Sequence, residues 1–151
     1  MNDKFVKLFS TFFYIGYFPV APGTAASLAG GIVALLLYKN PVIYIGLFLA
    51  VTFIGFIISG RMEEIEGKKD PGCVVIDEVS GIMISYFMLP ISWPIVVTTF
   101  FLFRALDMFK TFPANKLEAL GGGEGIMLDD VLAGLYTNIV MQIAVRWAGI
   151  I

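Results

Sequence analysis

Residues 103–134 read FRALDMFKTFPANKLEALGGGEGIMLDDVLAG, and the rest of the chain is organised around them. Two apolar segments meet here. Their facing ends gather Arg104, Asp107, Lys110, Asp129 and Asp130 in a chain otherwise poor in charge. Arg104, Asp107 and Lys110 recur every third residue. On a helix each such step drifts about 60°, so all three fit within roughly a third of the circumference. One reading is an ion-paired ladder that snorkels to lipid headgroups. The other is a phosphate site, favoured because ionisable groups at membrane depth are costly and mark function. Arg104 and Lys110 then bind phosphate, while Asp107 orients them or acts on a metal or a proton. Asp129 and Asp130 project about 100° apart on a helix and repel one another unless a cation lies between them. A hard divalent ion fills that role; the plainer reading is an acidic helix start that favours the macrodipole.

Working outward, 58% of the 151 residues are hydrophobic and 15% are charged, where a soluble domain carries about a quarter charged. The composition indicates a single integral-membrane domain over 1–151, an all-α, multi-pass membrane helix bundle. The net charge of −2 leaves no basic stripe for nucleic acid. Histidine is absent, which excludes a phosphohistidine intermediate, imidazole acid–base chemistry and His-ligated zinc. A metal held here by carboxylates, carbonyls and water is Mg²⁺ or Mn²⁺. Cys73 is the one cysteine and forms no intrachain disulfide; it reads as a small apolar residue.

Before the central stretch, residues 8–38 carry no charge, but Pro19, Pro22 and Gly23 divide them. The first part, roughly 5–18, is short for a span and suits an N-terminal interfacial or re-entrant helix. A signal peptide is rejected because Pro19 and Pro22 interrupt the would-be cleavage region. Spanning helices are expected at 24–38, 41–60, 74–89, 95–109 and 127–148, about five in all. Ala26, Gly30 and Ala34 give the first of these a small-residue packing stripe. Residues 61–72 read as a solvated loop with a short helix, with Glu63, Glu64 and Glu66 at the surface. Leu89 to Pro94 read as a tight turn with an interfacial Trp93, and 111–126 as a polar, glycine-rich connection.

With a cytoplasmic N-terminus and a first segment that does not cross, Lys4, Lys7, Arg61, Lys68, Lys69, Arg104, Lys110 and Lys116 fall inside, and Lys39 and Arg146 outside. This obeys the positive-inside rule. The same topology places Pro22-Gly23-Thr24, Asp77-Glu78, Arg104–Lys110 and Asp129-Asp130 on one side, although the rule takes no account of acidic residues. Asp77 and Glu78 are therefore read as metal ligands with Asp129 and Asp130, the alternative being an ordinary acidic first turn. Thr24 and Ser27, near a helix start, could offer an anion hydroxyls and N–H groups, or simply cap a turn. The run Gly121–Gly125, with Gly123 at its centre, permits close approach to a phosphate, but no Lys-Ser/Thr pair follows it as in a Walker sequence.

PGTAASL at 22–28, DEVSG at 77–81, FRALDMFKTFP at 103–113 and GGGEGIMLDDVLAG at 121–134 together resemble the phosphatidylglycerophosphatase A family. The blocks stand in the family's order and cover most of the chain. Thr111 stands where the family pattern has proline, and Ala26 where it has glycine. The resemblance implies a Mg²⁺-dependent enzyme of the bacterial inner membrane that removes the terminal phosphate of phosphatidylglycerophosphate. Its site would comprise Asp77, Glu78, Arg104, Asp107, Lys110, Asp129 and Asp130, on the side that the basic residues mark as cytoplasmic. The attacking group would be a metal-polarised water or a carboxylate, Asp107 or Asp129. A small ion-coupled transporter subunit is the rival reading. It calls for mid-span charges and repeated halves, and the sequence has neither. A phosphotransferase using a nucleotide-activated lipid would need a larger acidic cluster.

Overall fold

The computed structural model describes residues 1–110, 112–117 and 120–149; the Thr111 departure lies outside them. The described residues are helical, with no strand among them. The helices are α1 (Asp3–Ser10), α2 (Pro22–Leu37), α3 (Pro41–Glu66), α4 (Ile76–Tyr86), α5 (Trp93–Phe109), α6 (Ala114–Leu117) and α7 (Gly122–Arg146), with a 3₁₀ turn at Ile15–Tyr17. Proline stands in the first turn of α2, α3 and α5, where its missing N–H costs nothing.

Two helices, α3 and α7, are long and apolar enough to cross a membrane. The expectation of about five spanning helices is not supported. At 1.5 Å per residue, α2 and α5 reach about 25 Å, α4 only about 16 Å, and a hydrocarbon core is about 30 Å thick. The segment 74–89 misleads because it is apolar for a different reason. It supplies α4, a short helix enclosed by α2, α3, α5 and α7, and most of its side chains are buried against them. Hydropathy does not separate a helix facing lipid from one facing protein.

The charged stretch 61–72 also departs from expectation. Its first half continues α3 to Glu66, and Gly67, with φ +63°, ends the helix. Glu63 is no bystander: it accepts from Asp70 N and Gly122 N, both at 2.9 Å, and so ties the loop and the start of α7 to α3. The N-terminal segment is shorter than expected. α1 gives way to left-handed backbone at Phe12, Phe13 and Tyr14, and Lys7 pairs with Glu66 at 3.2 Å to hold α1 on α3.

One helix pair sets the site. α4 and α7 run parallel, and the same offset in numbering recurs each turn. Asp77 lies by Asp130, Gly81 by Gly134, and Ser85 by Asn138, whose amide donates to the Ser85 carbonyl at 3.1 Å. The backbones touch at the two glycines, where a Cβ on Gly134 would overlap the Gly81 carbonyl. A Cβ on Gly81 would lie 2.7 Å from both the Asp130 carbonyl and the Phe103 ring. Since i and i+4 share a helix face, this contact one turn further along brings the carboxylates together. Gly81→Ala is expected to cost about 1–3 kcal/mol in stability. It should lower activity as well, read as a fall in thermal midpoint in detergent alongside phosphate release.

Candidate active site

The N-terminal turns of α4 and α7 and the C-terminus of α5 meet around a polar cavity of about 250 Å³. Its lining includes Asp70, Gly72, Asp77, Glu78, Arg104, Asp107, Lys110, Asp129 and Asp130. Three of the carboxylates, Asp77, Glu78 and Asp130, each offer an oxygen within 4.8 Å of the others. Asp77 Oδ1, Glu78 Oε2 and Asp130 Oδ2 are buried with no hydrogen-bond partner. Clustered buried carboxylates with orphaned oxygens are strongly unfavourable until a cation joins them. The donor set is all oxygen, which suits a hard divalent ion.

The remaining charges pair around this cluster. Arg104 Nη1 donates to Asp107 Oδ2 at 2.5 Å and to Ser27 Oγ at 3.3 Å, while its Nε is buried without a partner. The expected ladder on α5 is split. The helix ends at Phe109, and Lys110 takes left-handed backbone at φ 43°. Its ammonium therefore turns to Asp129 Oδ2, 3.2 Å away. The neighbouring aspartates diverge as adjacent helical residues must. Asp130 joins the three-carboxylate cluster, whereas Asp129 faces Lys110 and accepts the Asp130 N–H on Oδ1 at 3.1 Å.

α2 brings its first turn against the site. Ser27 donates to the Gly23 carbonyl at 2.8 Å and accepts from Arg104, so it steadies the guanidinium. Gly23 lies flat against the site, where a Cβ would overlap Glu78 Oε1 and lie 3.4 Å from Arg104 Nη2. Gly23→Ala is accordingly expected to displace Glu78 and cut activity about tenfold or more with the fold retained, checked by turnover beside a thermal melt.

Thr24 and Gly123 lie elsewhere. Thr24 lines an apolar groove between α2 and α5. Gly123 sits where α7 crosses α3, with the Phe56 carbonyl occupying the space of a Cβ, and is absent from the cavity lining. The glycine run is the start of α7 rather than a loop. Asp70 and Gly72 join the lining from a stretch that reads in the sequence as a solvated loop. The available signal was the turn-forming Asp70-Pro71-Gly72, which carries the chain back to α4 beside the cluster. Burial pushes the Cys73 thiol up, away from thiolate reactivity.

The phosphatidylglycerophosphatase A family model matches residues 8–145. A protein of Bacteroides thetaiotaomicron named "Putative phosphatidylinositol-3-phosphatase" is 37% identical, over 93% of this chain and 92% of that protein. Two proteins named phosphatidylglycerophosphatase A are similar as well. That of Haemophilus influenzae is 34% identical over 94% of this chain and 90% of its own length, and that of Escherichia coli K12 33% identical over 87% and 79%. No solved structure matches the chain. The transport alternative finds no support in these relatives, nor in a cluster of buried charges that lies at one end of the bundle rather than at mid-span. A match over nearly the whole length, on a chain whose acidic cluster adjoins an arginine, makes this protein a member of the phosphatidylglycerophosphatase A family, enzymes that hydrolyse phosphate monoesters.

Proposed function

We propose that this chain removes the terminal phosphate of phosphatidylglycerophosphate to give phosphatidylglycerol, using Mg²⁺ held by Asp77, Glu78 and Asp130. The observation that carries the proposal is the set of orphaned carboxylate oxygens beside an arginine with a spare donor. When bound, the ion would neutralise phosphate charge and polarise the scissile region, the usual contribution of a hard cation to phosphoryl transfer. Arg104 binds the phosphate oxygens and stabilises charge as it spreads over them. Asp107 and Ser27 hold the guanidinium in place. Lys110 and Asp129 form a second charged pair at the mouth. Attack is by water, because both Asp129 oxygens are engaged and Asp107 is paired with Arg104. The new P–O bond forms from the water, the bond to the glycerol oxygen breaks, and the water's proton passes by way of a carboxylate to that oxygen. A phosphoenzyme trapped in rapid quench would overturn water attack.

The protein is proposed to sit in the bacterial inner membrane, crossing it more than once with α3 and α7. The cavity faces the cytoplasm, since Arg61, Lys68 and Lys69 of the 61–72 stretch lie at the same end. The 37% identity to the Bacteroides protein favours a second reading, a phosphatase for a 3-phosphorylated inositol lipid. Purified protein given each lipid separately, with Mg²⁺ or with excess chelator, tests both. Phosphate release from phosphatidylglycerophosphate, abolished by chelator and restored by Mg²⁺, is expected. Release from the inositol lipid alone would move the assignment, and undiminished release in chelator would remove the ion.

A further inference from the structure

We propose that the groove between α2 and α5 holds one acyl chain of the lipid substrate and selects for its length. The proposal rests on the reading of the polar cavity as a lipid-headgroup site. The groove has a volume of about 640 Å³ and runs from Thr24 past Gly31 to Leu35 on one wall, with Val97 and Phe100 on the other. It is apolar along its length. Tyr86 lies in its lining, but its hydroxyl donates to the Val96 carbonyl at 2.8 Å, so that wall offers no free donor to a ligand.

Two observations favour an acyl chain as the occupant. First, the groove adjoins the polar cavity. Thr24 follows Gly23, which lies against Glu78 and Arg104, and α5, the opposite wall, carries Arg104 itself. A molecule with its phosphate at Arg104 therefore has its apolar part delivered to this groove. Second, Thr24 to Leu35 covers about 16 Å at 1.5 Å per residue, close to the roughly 15 Å of one leaflet's share of the hydrocarbon core. The other apolar hollows fit less well. That lined by Tyr44, Phe48 and Phe87 lies on the start of α3 and the end of α4, away from the cavity, and that beneath Phe9 and Phe13 is walled by neither α5 nor Gly23.

The test uses the full chain in detergent and two variants that fill the groove from opposite walls. Gly31→Leu is the first: a Cβ there meets Tyr86 and Ile82 at 3.4 and 3.8 Å, the bulk beyond it narrows the groove, and a thermal melt in detergent checks that the fold is kept. Val97→Phe is the second. Each should lower kcat/KM on phosphatidylglycerophosphate with sixteen-carbon chains at least about tenfold. Each should leave turnover of the hexanoyl lipid and of the deacylated headgroup phosphate unchanged. Equal losses on all three substrates, or no loss on the long-chain lipid, would overturn the proposal. Independently of turnover, a phosphatidylglycerophosphate analogue with a diazirine midway along one acyl chain should label α2 and α5. Unlabelled long-chain phosphatidylglycerophosphate should compete, and phosphatidylcholine should not. Equal competition by phosphatidylcholine would mean bulk lipid only and sink the idea. Selective labelling without phosphate release would instead refute the headgroup reading and leave the groove standing.

Discussion

Asp130→Asn is expected to lower phosphate release about a thousandfold, or ~4 kcal/mol of transition-state stabilisation. The substitution keeps the shape of the side chain and removes only its charge. Asp130 is 3% exposed, and its Oδ2 has no hydrogen-bond partner, so that oxygen gives up no bond of the folded chain when the charge is removed. What is lost is one of the carboxylates that converge with Asp77 and Glu78. Stability should move in the opposite direction. Without a cation the cluster is self-repelling, so removing one charge should hold or raise the thermal midpoint in chelator. Added Mg²⁺ should stabilise the native chain but not the variant, because an ion stabilises only a fold that binds it. A variant that loses activity by unfolding would show a lowered midpoint in chelator, which separates the two causes.

Arg104→Ala should cost about a hundredfold to a thousandfold in kcat, and Arg104→Lys should recover little of it. The guanidinium bridges α5 to α2 through Asp107 and Ser27 on a single nitrogen. Its Nε remains buried and unpartnered, so donors are left for a ligand. Lysine has one charged nitrogen and cannot hold Asp107 and Ser27 while also offering a planar fork to phosphate. Truncation also leaves Asp107 without its cation. The Asp107→Asn, Arg104→Ala double variant should therefore lose less than the sum of the single losses. Steady-state kinetics of the four proteins measure this coupling. Strict additivity would mean that Asp107 acts on something other than Arg104.

The site was legible in the sequence because charge is conspicuous against an apolar background. Asp77, Glu78, Arg104, Asp107, Lys110, Asp129 and Asp130 all line one cavity, although the five-span topology that grouped them in the sequence is not supported by the fold. The right-angle divergence of neighbouring aspartates was legible too, but not which of them would face Lys110. That depended on α5 ending at Phe109, where no proline or glycine marks the stop. The helix count failed at α4, since apolar residues facing protein and facing lipid look alike in sequence. Glycine was read too narrowly. Gly123 serves the crossing of α7 over α3, whereas Gly23, Gly81 and Gly134 give backbone and side chains the close approach that assembles the site. Such roles depend on which chain lies opposite, which a single sequence does not state.

We propose that Asp77, Glu78 and Asp130 jointly hold a divalent cation beside Arg104. Mn²⁺ titrated into the purified protein and followed by its paramagnetic resonance, with Mg²⁺ as competitor, tests this without reference to turnover. A saturable site from which Mg²⁺ displaces Mn²⁺ is expected. That site should vanish in the Asp77→Asn, Glu78→Gln, Asp130→Asn triple variant and persist in Lys110→Ala. Saturable binding that survives the triple variant, or a native protein that binds no Mn²⁺ while still releasing phosphate, would contradict it.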